Sequence, residues 1–415
     1  MHILFLTDNF PPETNAPASR TYEHTRRWVE AGHQVTVLTC APNFPKGEVY
    51  PGYRNAWRHV EDMDGIRVVR VKTYIVANAG FFRRTLDYLS FMFSAGFFGL
   101  FEKKPDVIIG TSPQLFTVIA ARFLSFVRRV PFVFELRDLW PESIATVGAA
   151  KKGRLLVLLE KLVHRLYRKA DLIVPVTESF RQKLIEGGIA PERIVVVRNG
   201  VDLDRFRPQA RDEALAEEWG VSGRFVVGYF GTHGMAHDLG NVLAAAERLR
   251  ENRDIVFVLL GEGAEKARLR EHARQRALTN VIFLDGVAKE RMPAAWSVCD
   301  LALVHLKNDP LFASVIPSKI FEACGAGRPL LVVQPEGEAT AIVREHDIGE
   351  WAPPGDPRLL AERVLSLAGN RDRLEALRRN ATASRSVFSR AFQAERMLQQ
   401  LEQLVGNRSF GRARE

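Results

Sequence analysis

Short apolar runs alternate with helical patterns along this chain, and the alternation halts once and then begins again. Strands written as unbroken apolar runs must be covered on both faces, which is the situation of a parallel sheet wrapped by helices. In the first half the runs fall at 3–7, 35–39, 68–71, 107–109, 132–135, 172–174 and 194–197. In the second they fall at 225–230, 255–260, 281–284, 301–304 and 330–333. Asn199-Gly200-Val201-Asp202 and a polar stretch through Gly223 separate the two series. A chain of 415 residues exceeds one ordinary core and fits two domains of about 200 residues each. Helical patterning continues to about Val405 after the second sheet is complete, so the last helix is free to cross back onto the first domain. The expected architecture is α/β, with two facing Rossmann-like, doubly wound domains. One takes 1–203 with about 388–415, and the other takes 204–387. Ligands of such sheets collect at strand C-termini, here in a cleft between the domains.

Charge narrows the partners. The formal net charge of +9 suits nucleoside diphosphates, nucleic acid or an anionic membrane. The basic residues are dispersed and belong to no nucleic-acid-binding motif, which sets nucleic acid aside. Cys40, Cys299 and Cys324 have no metal-ligand spacing and cannot all pair, so no metal and a cytoplasmic location are expected. The opening apolar run has no basic leader and reads as a strand rather than a signal peptide. No apolar run is long enough to span a bilayer. Residues 86–101 are aromatic-rich and nearly uncharged between Arg83-Arg84 and Lys103-Lys104. They read either as a core helix or, with the 81–84 tip, as a helix lying on an anionic membrane surface. A second amphipathic helix, 154–169, places Leu155, Leu159, Leu162 and Leu166 on one stripe.

The stretch 314–333 concentrates the chemistry. It reads as a short helix from Pro317, a Gly-Ala-Gly break and a buried strand. Ile316 cannot cap with its side chain, which leaves the amides of Ser318 and Lys319 free beside a positive dipole end and the Lys319 cation. Glu322 follows one turn later. A cation for phosphate and a carboxylate for sugar hydroxyls describe a nucleotide-sugar site; an ordinary surface helix is the alternative. Gly231, His233 and Gly234 lie in a turn after the first strand of the second domain, where glycines admit a pyrophosphate to backbone amides. Glu262 follows the next strand, and Gly286-Val287 the third, with backbone groups for a base. No GxGxxG pattern is present, so no nicotinamide cofactor is expected.

In the first domain, Asn15-Ala16-Pro17 precedes a helix expected to be uncapped, with Ser19, Arg20 and His24 on its opening turns. These face an acceptor or lie solvated on the surface. Arg137-Asp138-Leu139-Trp140-Pro141 leaves a buried strand as a rigid charged loop. Asp138 is its best-placed carboxylate for orienting a hydroxyl, unless Arg137 merely neutralises it. Asp8 and Glu13 are candidates of the same kind.

These residues resemble a family. Asn199-Gly200-Val201-Asp202, Gly261-Glu262-Gly263 and Lys319-Ile320-Phe321-Glu322-Ala323-Cys324-Gly325-Ala326-Gly327-Arg328-Pro329 are similar to motifs of the retaining glycosyltransferases of family four, which have the GT-B fold. Pro11-Pro12-Glu13, the 15–20 segment and Arg137-Asp138-Leu139-Trp140-Pro141 resemble a bacterial subgroup that adds fucose-type sugars, notably N-acetyl-L-fucosamine, in O-antigen or capsule assembly. The resemblance implies a metal-independent hexosyl transfer with retention. The donor would be a UDP- or GDP-sugar, and the acceptor an undecaprenyl-diphosphate-linked saccharide at the inner face of the membrane. It implies donor-binding roles for Gly231, His233, Gly234, Glu262, Val287, Ser318, Lys319 and Glu322, and catalytic roles for Asp138, Arg137 and Lys319. Asn15, Ala16, Ser19, Arg20 and His24 would meet the acceptor. The chain departs from the family in three places: Ser314 replaces the first glutamate of the paired-glutamate motif, Asn15-Ala16-Pro17 replaces a glycine-rich loop, and Arg137 replaces a histidine. A non-hydrolysing nucleotide-sugar epimerase and a non-catalytic, membrane-associated sugar-nucleotide-binding subunit are the rival readings.

Overall fold

A computed structural model describes residues 1–13, 15–44, 46–76, 81–138 and 154–412. The chain divides into two compact units, Met1–Arg198 with Arg390–Glu415, and Asn199–Ser389.

The first unit holds β1 (His2–Leu6), β2 (Gln34–Cys40), β3 (Arg58–Met63), β4 (Ile66–Val71), β5 (Val107–Thr111), β6 (Phe132–Leu136) and β7 (Leu172–Pro175). Their order is β3-β4-β2-β1-β5-β6-β7. The central strands are parallel, with Ile3 opposite both Val35 and Val107, and are buried throughout, as their unbroken apolar runs require. β3 runs antiparallel to β4 at the edge. Its sequence, RHVEDM, has no apolar run to reveal it, but the Asp64-Gly65 turn does: both residues have positive φ, the backbone of a tight hairpin. The run at 194–197 forms no ladder strand. Val195 and Val197 donate to Ile173 and Pro175, but the carbonyls of Val197 and Arg198 are taken by the Arg20 guanidinium and the Arg198 amide by Gln393.

Helix α1 (Ala16–Glu30) is capped after all. Asn15 Oδ1 accepts from the Ala18 amide at 2.9 Å while its Nδ2 donates to Asn9. The C-terminal helix, Arg390–Arg412, lies on α1. Trp28 donates from its indole nitrogen to the Ala394 carbonyl at 2.9 Å, Arg390 pairs with Glu23, and Met397 and Leu401 enter the core around Trp28. Helices α2 (Phe81–Gly99) and α3 (Leu115–Arg128) pack against each other beside the sheet. Among the described residues no helix is long and apolar enough to cross a membrane. In the helix Arg154–Lys169 the core face is Leu159, Val163, Leu166 and Tyr167; Leu162 lies on the exposed side.

The second unit holds β8 (Phe225–Phe230), β9 (Ile255–Leu260), β10 (Val281–Leu284), β11 (Leu301–His305), β12 (Leu330–Val333) and β13 (Gly349–Ala352), all parallel. The order β10-β9-β8-β11-β12-β13 reverses direction between β8 and β11. That reversal is the switch point where such sheets open a crevice, and the turn after β8 lies there. β13 is short and half-buried, and its Glu-Trp centre hides it from an apolar scan.

Candidate active site

In the second unit, the turns after β8 and β9 touch backbone to backbone. Gly231 has φ +146 and Gly261 φ +145. A Cβ on Gly261 would lie 1.9 Å from the Gly231 carbonyl oxygen, and one on Gly263 would lie 2.4 Å from that of His233. The amides of Gly231 and His233 donate across to Leu260 and Glu262 at 2.9 and 2.8 Å. These glycines therefore allow two turns to approach, and the Gly231 and His233 amides are not free for a pyrophosphate. Gly261→Ala is expected to destabilise the second unit by about 3 kcal/mol, because a methyl would have to displace backbone; thermal denaturation measures it.

Lys319 opens a seven-residue helix, Lys319–Gly325, that begins two residues later than the sequence suggests. Its ammonium stands 3.7 Å from the centroid of the Tyr229 ring and 3.0 Å from where a Gly231 Cβ would be. Lys319 is 7% exposed, and Nζ has no hydrogen-bond partner. Burial lowers its pKa to about 7, with Glu322 opposing. A cation held dry over a ring face and bonded to nothing is a site waiting for an anion. Glu322 is half-buried, and Ser318 is exposed as the N-terminal residue before the helix, without a side-chain cap. Ser314 bonds its own 3-10 turn through Leu311.

Three imidazoles surround this point, of which sequence reading found one. His233 is fully buried between the rings of Tyr229 and Phe283, both ring nitrogens without partners, and burial holds its pKa near 4. His237 and His305 are likewise lowered to about 4, chiefly by burial. His305 Nδ1 lies 2.9 Å from the His237 carbonyl and Nε2 lies 2.8 Å from Asn241 Nδ2, which fits the neutral Nδ1–H tautomer. All three are uncharged at neutral pH, so Lys319 is the cation of the group. Tyr229, His237 and His305 carry no motif; only their places at the ends of β8 and β11 mark them. Gly234 starts the 3-10 turn that leads to His237.

Glu262 serves the loop rather than pointing freely. Its Oε1 accepts from Lys266 at 2.8 Å and from the Gly286 amide at 3.1 Å, which lowers its pKa. Val287, half-buried behind that amide, packs on the core of the unit.

In the first unit the structure corrects Arg20. Its Nε donates to buried Glu135 at 2.9 Å, and its two terminal nitrogens donate to the carbonyls of Arg198 and Val197 at 2.8 and 3.0 Å. This guanidinium is a buried structural clamp between Glu135 and the carbonyls of Val197 and Arg198. Asn15 is likewise occupied as a cap, Ser19 is buried with its amide on Asn15, and Ala16 is exposed at the helix start. His24 is buried rather than solvated, with neither ring nitrogen partnered. Burial and the charges of Arg20, Arg390 and Arg137 hold it neutral.

Arg137 remains available. Its amide donates to Ser112 Oγ at 2.8 Å, while its Nε and Nη1 are buried without partners. Burial lowers its pKa and Glu135 opposes this. Asp138 is open to solvent on one side, yet the surrounding protein raises its carboxyl above the usual range, with Arg137 opposing. Asp8, raised by burial, faces the same guanidinium. The ends of β1 and β6 thus bring Asp8, Arg137 and Asp138 together, whereas Leu139, Trp140 and Pro141 lie outside the described residues. Among the described residues no group of three or more His, Cys, Asp and Glu is placed to hold a metal.

Comparison with known proteins identifies both units. Residues 15–200 match the family model described as a glycosyl transferase 4-like domain, and residues 213–384 match that of the glycosyl transferases group 1. WcaI of Escherichia coli (strain K12), provisionally named a colanic acid biosynthesis glycosyl transferase, is 30% identical over 79% of this chain and 82% of its own. A GDP-mannose-dependent alpha-mannosyltransferase of Mycobacterium tuberculosis (strain CDC 1551 / Oshkosh) is 26% identical over 93% of both chains. Among solved structures, Anabaena HepE in complex with UDP superposes with a TM-score of 0.70 at 18% identity, covering 97% of this chain and 100% of its own. The chain belongs to the family 4 glycosyltransferases and has their GT-B fold.

Proposed function

We propose that the second unit holds a nucleoside-diphosphate sugar by its diphosphate and that the sugar passes to a lipid-diphosphate-linked saccharide. The observation that carries this reading is Lys319, a buried ammonium with no partner at the switch point of the sheet. When the bond from the sugar C1 to the diphosphate oxygen breaks, negative charge grows on the leaving phosphate, and a fixed cation in a dry site stabilises it. Lys319 takes that role, joined by the Ser318 and Gly234 amides. Glu322 meets the ribose hydroxyls. Transfer proceeds with retention and without metal, the leaving phosphate accepting the proton of the attacking hydroxyl on the same face. Asp138 and Arg137 orient hydroxyls of the reacting sugars.

The sugar proposed is N-acetyl-L-fucosamine, in O-antigen or capsule assembly at the inner face of the cytoplasmic membrane. The name of WcaI, which refers to another bacterial polysaccharide, supports that setting. HepE was crystallised with UDP and with UDP-glucose, and the mycobacterial relative is named for GDP-mannose, so both bases enter the test. Each of a panel of UDP- and GDP-sugars is incubated with a diphosphate-linked acceptor and the products are identified by mass spectrometry. Elongated acceptor with the C1 configuration preserved is expected. A new epimer formed from donor alone, or donor binding without any product, would replace the transferase reading.

The Lys319 environment adds a pH dependence. A bound diphosphate favours the charged ammonium and so raises its pKa above the value of about 7 in the empty site. Below that value the lysine is already charged and binding takes up no proton. Above it, UDP binding is expected to take up close to one proton and to weaken with rising pH, approaching about tenfold per pH unit. Calorimetry at pH 8 in buffers of different ionisation enthalpy measures the uptake.

A further inference from the structure

The first unit carries an apolar surface that neither its core nor the transfer reaction accounts for. A Cβ on Gly96 would lie 3.6 Å from the Phe123 ring, and one on Gly99 would strike Leu124 at 2.5 Å, so α2 and α3 are in close contact. Arg128 fastens their C-terminal ends by donating to the carbonyls of Leu100 and Glu102. Their inner faces, through Phe91, Ala95, Val118 and Leu124, belong to the core. Their outer faces are not polar. Phe93, Phe97 and Phe101 repeat every four residues along α2 and the turn after it, and Phe123, Phe126 and Val127 continue the patch on α3. Phe97 is 57% exposed, Phe101 67% and Phe126 71%. Large apolar side chains gathered in one patch mark an interaction surface.

The surrounding charge selects the partner. The Arg122 guanidinium lies 5.6 Å from the Phe126 centroid, and Lys103, Lys104 and Arg129 are exposed where the two helices end. α3 contains no acidic residue. Glu102, between the helices in sequence, is buried and paired with Arg58 and Arg67 at 2.6 and 3.0 Å. A second copy seated on this face would bring like charge against like, whereas a bilayer containing anionic lipid complements both the rings and the cations. We propose that the joint face of α2 and α3 rests on an anionic phospholipid surface, with the phenyl rings in the interface and Arg122, Lys103, Lys104 and Arg129 among the headgroup phosphates.

Co-sedimentation with vesicles tests this on the full chain. Wild-type protein is expected to pellet with phosphatidylcholine vesicles containing phosphatidylglycerol, less so as salt rises, and poorly with phosphatidylcholine alone. The double variant Phe97→Ser, Phe126→Ser should lose about tenfold or more in partitioning. Its melting temperature should match wild type, since both rings are exposed. Arg122→Glu should weaken binding to the anionic vesicles only. Transfer to a short-chain, water-soluble acceptor should be unchanged in all variants, which separates failure of this surface from failure of the donor site. Wild-type partitioning by the double variant, or no binding by the wild type, overturns the proposal. A dimer that dissociates in the double variant also overturns it, assigning the face to a second copy.

Discussion

Lys319→Ala is expected to lower transfer by about a hundred- to a thousandfold, the range for losing one preorganised group that stabilises developing negative charge. The fold should remain. In the empty protein the ammonium has no hydrogen bond and sits desolvated over Tyr229, so its removal relieves a cost that offsets the small cavity left behind. A melting temperature equal to or above that of wild type, together with lost turnover, distinguishes a functional lysine from a packing one. Arginine is not a safe replacement, since the longer, planar group would meet Gly231 and the Tyr229 ring in a space that already holds Nζ at 3.0 Å from the Gly231 Cβ position. Near-normal turnover by Lys319→Ala would remove the leaving-group assignment.

Arg20→Ala should do the opposite and cost about 3–5 kcal/mol of stability, because it strands a buried carboxylate, the buried carbonyl of Val197 and the half-buried one of Arg198. Glu135 is 1% exposed, and its pKa lies below the ordinary carboxyl value although burial alone would raise it; the cations Arg20 and Arg137 reverse the direction. The sign follows from that depression. The pair's contribution to stability is fully present above the unfolded carboxyl pKa and is lost as pH falls through the folded one. The destabilisation measured by denaturant titration should therefore shrink under acid. A variant that kept wild-type stability and lost only acceptor affinity would restore the acceptor role that the sequence suggests for this arginine.

The two arginines show what a sequence can convey. Both follow patterns that point at a ligand, Arg20 on the opening turns of a helix after the first strand and Arg137 just beyond a buried one. Whether a guanidinium meets substrate or backbone depends on what lies opposite, and the partners of Arg20 come from more than a hundred residues away, in Glu135, Val197 and Arg198. The strands of both sheets were legible wherever they are buried on both faces, since burial writes unbroken apolar runs. β3 and β13, at sheet edges, have no such need and left no run. Lys319 was legible because its chemistry is local to one helix start. Of the neutral histidines around it, His233 was legible in the turn after β8, whereas His237 and His305 were not, because the ends of β8 and β11 meet only in the sheet.

The C-terminal helix has a consequence for the order in which the protein is made. Residues 199–389 form one uninterrupted unit, but the other is assembled from the first and last parts of the chain. The indole nitrogen of Trp28 finds its acceptor on Ala394, and Met397 and Leu401 fill the core around it. A nascent chain therefore completes its later unit first. Its earlier one waits, with one edge of the Trp28 core open, until Ala394, Met397 and Leu401 have left the ribosome.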